Sequence, residues 1–196
     1  MSDTAGRVAI GIVDRGADPW RQQFFASVLD RPDGMSAFVE PAMGSAGTAE
    51  PYRFLDTLSY VRVAGEATGG RCSVVEMRLR EGHAPPMHVH ESADETLHVT
   101  EGAIEVHTPT ETRSLGAGGS VVLPRGRSHS IVATEPATIV TSTSPGGFDE
   151  FVTSVGEPVD AATVPSDPPS EAAVARVSEL APEHDIEIVG PPPVDP

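Results

Sequence analysis

The stretch from Gly82 to Gly102 reads GHAPPMHVHESADETLHVTEG and concentrates side chains able to do chemistry. His88 and His90 are two residues apart, and Glu95 follows five positions later. In an extended strand, residues i and i+2 share a face, so both imidazoles point the same way. Glu95 opens the next run and projects inward together with Leu97 and Val99. Farther on, residues 118–129 read GGSVVLPRGRSH, where Pro124 and Gly126 make a turn that returns the chain and presents His129 as a fourth ligand candidate. Three imidazoles and a carboxylate suit one divalent transition metal ion (Fe, Mn, Ni, Co, Cu or Zn), whereas an all-oxygen Ca or Mg site would not use three histidines.

The remaining reactive side chains read differently. His98 alternates out of phase with Glu95, His107 lies near a strand end and His184 lies in the C-terminal tail, so all three are expected at the surface. His83, just before Pro85-Pro86, is placed at the mouth of the fold and outside the ligand set. Cys72 is the only cysteine and opens an apolar run, which excludes an internal disulfide and favours a small buried thiol.

The elements that must position these residues are short. With 19 Gly, 19 Pro and 38% hydrophobic residues, the composition argues for many short strands joined by tight turns, an all-β class. Strands are expected near Phe54–Val63, Cys72–Arg80, Met87–His90, Glu95–Thr100, Ala103–Thr108, Glu111–Leu115, Ser120–Leu123, His129–Ala133 and Ala137–Thr143, a number and spacing that suit a jelly-roll β-barrel. Inward positions in phase with the ligands, Val75, Met77, Leu79, Leu97, Ile104 and Val122, predict an apolar substrate pocket. Residues 1–51 read as an irregular N-terminal extension with one short helix at Asp18–Leu29. Residues 52–158 read as the barrel domain, which includes a helix-spaced segment at Phe148–Val152 after its last strand. Residues 159–196 read as a Pro-rich C-terminal arm with a short helix at Glu171–Leu180 and the segment Ile186–Val189.

The net charge is -16, from 29 acidic residues against 13 basic ones, all of them Arg. Such a surface repels nucleic acid and anionic membrane, and we read it as adaptation to solvent. The absence of a signal pattern and of any run approaching a membrane span leads to the expectation of a cytoplasmic protein acting on a small molecule.

These two stretches resemble the cupin superfamily, whose motifs run G(X)5HXH(X)3-4E(X)6G and G(X)5PXG(X)2H(X)3N. Gly82, His88, His90, Glu95 and Gly102 meet the first, and Gly118, Pro124, Gly126 and His129 meet the second, with Ala133 in place of its terminal Asn. The gap between His90 and Glu95 and the tail SPGGFDEFVTSVGEP resemble quercetin 2,3-dioxygenase-like monocupins. That resemblance implies a homodimeric, metal-dependent dioxygenase that cleaves a flavonol-like enolic substrate with dioxygen, with Glu95 both ligand and general base. The same motifs leave open a cupin isomerase or lyase, and a non-catalytic sensor or storage module binding a metal or small ligand.

Overall fold

Strict alternation of burial marks the two strands at the heart of the sheet. Ser73–Leu79 and Ala137–Ser144 each bury every second side chain, the period that a pleated strand imposes when one face meets a core. The computed structural model describes residues 49–193. In chain order its strands are β1 (Pro51–Phe54), β2 (Thr57–Val63), β3 (Ser73–Leu79), β4 (Met87–His90), β5 (Asp94–Glu101), β6 (Ala103–His107), β7 (Thr112–Gly116), β8 (Ser120–Leu123), β9 (Ser130–Ala133) and β10 (Ala137–Ser144). Helix α1 (Phe148–Val155), β11 (Glu157–Pro158), α2 (Glu171–Leu180) and β12 (Ile186–Gly190) follow. The helix expected at Asp18–Leu29 lies outside the described residues.

All pairings are antiparallel. One sheet has the order β11-β1-β2-β3-β10-β5-β8, and two smaller ones have the orders β12-β4 and β7-β6-β9. The smaller sheets are spliced by a backbone bridge between His88 and His129, whose amides donate to each other's carbonyls at 3.0 and 2.9 Å. A β12-β4-β9-β6-β7 layer results, and it carries Ile104, Val106, Ile131 and Ile186 into one core with Val75, Leu97, Val99 and Ile139 of the larger sheet. This is the jelly-roll arrangement that the turn-rich composition predicts.

Two boundaries differ from the sequence reading. The run Phe54–Val63 is broken into the β1–β2 hairpin by a turn at Leu55-Asp56, with Leu55 at φ 54°. No Asn-Gly or Gly marks this turn, so periodicity alone runs through it. The second is β11, a two-residue strand paired with β1 through Tyr52↔Pro158 and Arg53↔Glu157. One glycine is required sterically: Gly102 sits at φ 72°, and a Cβ there would drive into the Pro136 carbonyl.

The C-terminal segment is folded onto the barrel. Ser170 caps α2 by accepting from the Ala173 amide at 3.2 Å. Val177, Ala181 and Ile186 then enter the same core as the strands, and β12 pairs with β4. Helix α1 is held by Asp149, whose carboxylate accepts from the amides of Gly65 at 2.8 Å and Gly147 at 3.2 Å. That anchor sets Phe148 against His90 (ring centroids 5.9 Å apart) and Phe151 against Phe54 (5.6 Å).

Candidate metal centre

Three chain segments bring His88, His90, Glu95 and His129 together, with one ligand atom from each lying within 4.8 Å of all the others. The bridge to His129 fixes His88, and His90 follows two residues along the same strand. Glu95 enters from β5, paired with Thr143 on one side and Leu123 on the other. The turn before His129 is tied back to β4 by the Gly126 amide, which donates to the His90 carbonyl at 2.9 Å, with Gly126 at φ 69°. Loss of the Asn that the cupin motif carries where Ala133 stands leaves this centre intact, since Ala133 is held through its amide to the His83 carbonyl at 2.9 Å.

Tautomers are set from the backbone. His88 Nδ1 donates to the Pro86 carbonyl at 2.9 Å, and His129 Nδ1 donates to the Arg127 carbonyl at 2.9 Å. Each ring therefore turns its Nε2 inward, the orientation that a ligating imidazole needs. His129 Nε2 lies 3.0 Å from Glu95 Oε2, and His90 Nε2 lies 3.7 Å from it, beyond hydrogen-bond reach. His90 Nε2 is thus a buried nitrogen with no partner among the described residues. Such a group is expensive to bury unless something binds it, and a cation at the focus of the four side chains would satisfy it.

The electrostatics agree. Burial, then the neighbouring His129, pushes His88 down to about 4, and burial also lowers His90, so both favour the neutral, ligating form. Burial would raise Glu95, but the hydrogen bond from His129 and the nearby imidazoles outweigh it and hold the carboxyl at about 2. His129 is raised because its bond to Glu95 outweighs burial.

The four side chains line an apolar cavity of about 80 Å³. Of the residues expected along its wall, Met77 and Leu97 are there. Val75, Leu79 and Ile104 are buried at 0–2% exposure but belong to the packed interior away from this space. Leu79, for example, sits opposite Ala137, one inward position beyond the Met77–Ile139 pair. Val122 is a correction: it is 61% exposed. It pairs with outward-facing Thr96, while Val121 and Leu123 pair with Leu97 and Glu95 and face inward. Strand β8 reads SVVL, in which consecutive apolar residues hide the phase.

Sequence reading missed Phe54, Leu55, Ile131, Ile139 and Thr141 on the wall, and Phe148, Val177, Ala181, Ile186 and Ile188, which close it from α1 and the C-terminal segment. The apolar spacing of Phe148–Val152 was the available signal. His98, His107 and His184 lie outside the centre, engaged with Ser120, Thr112 and Ser154.

Residues 75–143 match the family model described as Cupin domain. Over 147 residues the chain is 28% identical to the quercetin 2,3-dioxygenase of Bacillus subtilis strain 168, covering 74% of this chain and 44% of that relative. It therefore spans less than half of the curated relative's length. An RmlC-like cupin from Shewanella frigidimarina NCIMB 400 superposes with a TM-score of 0.50 at 17% identity, over 57% of this chain and 96% of that one. A single-substitution variant of the oxalate decarboxylase of Bacillus subtilis also gives 0.50, at 21% identity, over 75% and 41% of the two chains. These likenesses bear on the fold, which is the cupin jelly roll. Among the described residues no helix is long and apolar enough to cross a membrane.

Proposed function

We propose that this chain is a metal-dependent cupin dioxygenase of quercetinase type, acting with dioxygen on an enolic, flavonol-like aromatic substrate. One divalent transition metal ion would be held by His88, His90, Glu95 and His129. The observation that carries this reading is the convergence of four side chains able to hold an ion, one with an orphaned buried nitrogen, in the lining of an apolar cavity. A bound ion supplies Lewis acidity toward an enolic oxygen.

The chain's own residues do the rest. Met77, Leu97, Ile131, Ile139 and Phe148 offer a wall suited to an aromatic ring and exclude water from the reacting end. No Arg lines the cavity among the described residues, so a phosphorylated sugar would find no cationic partner. Glu95 is anionic at neutral pH and can accept a substrate proton only by loosening from the ion and from His129. The resemblance at 28% identity to a quercetin 2,3-dioxygenase supports the reaction class.

The volume of about 80 Å³ favours a second reading, since pockets for drug-sized ligands run to about 300–1,000 Å³. A flavonol must displace Phe148 or the C-terminal residues, whereas a small oxygenated metabolite fits as the cavity stands. An isomerase or lyase, or a non-catalytic ligand-binding module, follows from that. Oxygen-electrode assays of metal-loaded protein with quercetin and smaller enols separate these readings. Uptake of dioxygen supports the dioxygenase, substrate conversion without uptake sinks it in favour of the isomerase or lyase, and binding without conversion leaves the module.

A further inference from the structure

The cavity is also lined by His83, an imidazole that the metal centre does not use. His83 is 2% exposed, and its Nδ1 lies 2.6 Å from Oδ1 of Asp56, itself 2% exposed. Arg80 Nε stands 2.8 Å from the other carboxylate oxygen. Asp56 sits in the β1–β2 turn, where a carboxylate ordinarily faces water. Here the turn directs it inward, beside Leu55 in its left-handed conformation at φ 54°.

An ionised carboxylate only accepts, so Nδ1 of His83 carries the proton and donates it. That leaves Nε2 as the basic nitrogen of a ring on the cavity wall, and it takes no protein hydrogen bond among the described residues. Ring contacts join the three ligand imidazoles to one another at centroid distances of 4.6–5.6 Å, and none among the described residues joins His83 to them. The dyad therefore stands apart from the centre, and both line the same cavity.

We propose that His83 is a catalytic residue that takes the hydroxyl proton of the substrate, with Asp56 as its positioning residue, while Glu95 stays in the ligand set. This rests on the reading of an enolic substrate above. The substrate O–H bond breaks, an N–H bond forms at His83 Nε2, and the electron pair stays on the oxygen as an oxyanion. The new imidazolium is held by the Asp56 carboxylate across the 2.6 Å hydrogen bond. The charged or titratable groups beside the dyad are Asp56 from the hairpin turn and Arg80 after β3, and His88, His90, Glu95 and His129 line the same cavity.

The test is anaerobic binding of quercetin to metal-loaded full chain, wild type against H83Q and D56N, with the absorption band of the ionised flavonol followed against pH and metal content measured alongside. The expected result is that wild type ionises bound quercetin at lower pH than H83Q, by about one pH unit, a tenfold change at fixed pH, at equal metal content. D56N shifts the same way by less, and decides the matter alone should H83Q not fold. Coincident titrations in wild type and the folded variants overturn the role of His83 while leaving the enolic substrate standing. If metal-loaded wild type does not bind quercetin, the functional reading fails first and takes this role with it.

Discussion

Ile186 and His90 are partners across an antiparallel strand pair, Ile186 on β12 and His90 on β4. Ile186 is 5% exposed and lines the same cavity as the candidate ligands. The C-terminal segment is thus packed against the strand that holds two of them. Ile186→Ala is expected to destabilise the fold by about 2–5 kcal/mol, as deletion of a buried branched chain does. Thermal unfolding checks this, and an unchanged Tm would show that β12 contributes no core.

His88 and His129 come from distant segments joined by their own backbones. His88→Ala and His129→Ala should each lose the ion, while wild type purified without a polyhistidine tag holds about one per chain. Elemental analysis decides. A wild type that stays metal-free after incubation with Fe, Mn, Ni, Cu and Zn would sink the proposed function.

The clustering of His88, His90, Glu95 and His129 was legible because most of its spacing is short: His88 and His90 share a face by strand period alone, and Glu95 lies at the start of the next strand. The cavity was only half legible. Met77 and Leu97 follow from phase, but Val122 fails because β8 is apolar on consecutive positions, so its register depends on β5, a partner remote in sequence. Asp56 was hidden by a hairpin with no glycine. The cavity's closing residues were hidden because a helix or strand pattern says that a face is buried without saying against what.

Proton release should report ion uptake. Against burial, the bond to Glu95 raises His129 above its ordinary 6.5, so near that pH it is mostly protonated, and the proton on Nε2 must leave before that nitrogen can ligate. His88, down at about 4, is already neutral and contributes none near neutrality. Calorimetry in buffers of different ionisation enthalpy should find more protons released near pH 6.5 than about two units higher, with affinity rising along that range.

Burial pushes Asp56 up, but the hydrogen bond from His83, with the guanidinium of Arg80 beside it, outweighs this and holds the carboxyl below its ordinary 3.8. A carboxylate with a depressed folded pKa stabilises above its unfolded value, and this is lost as pH falls through the folded one. Asp56→Asn should therefore destabilise by about 1–3 kcal/mol near neutrality, with the difference from wild type shrinking below about pH 4. Denaturant unfolding at both pH values tests this, and a gap that widens in acid contradicts it.

Val122→Ser and Leu123→Ser form a matched pair. The first alters an exposed position and should change stability by less than about 0.5 kcal/mol. The second puts a hydroxyl in place of a side chain that is 5% exposed beside Glu95, and should cost several-fold more. Equal effects would mean that the register of β8 is other than described.

The amides of His88 and His129 are bonded to each other's carbonyls, so neither can exchange its hydrogen with solvent without parting the two strands that carry the ligands. Their exchange rates are a built-in clock for opening of the centre. Slowing of both on addition of an ion, matched in size and confined to this seam, would measure how firmly the ion staples one half of the smaller layer to the other.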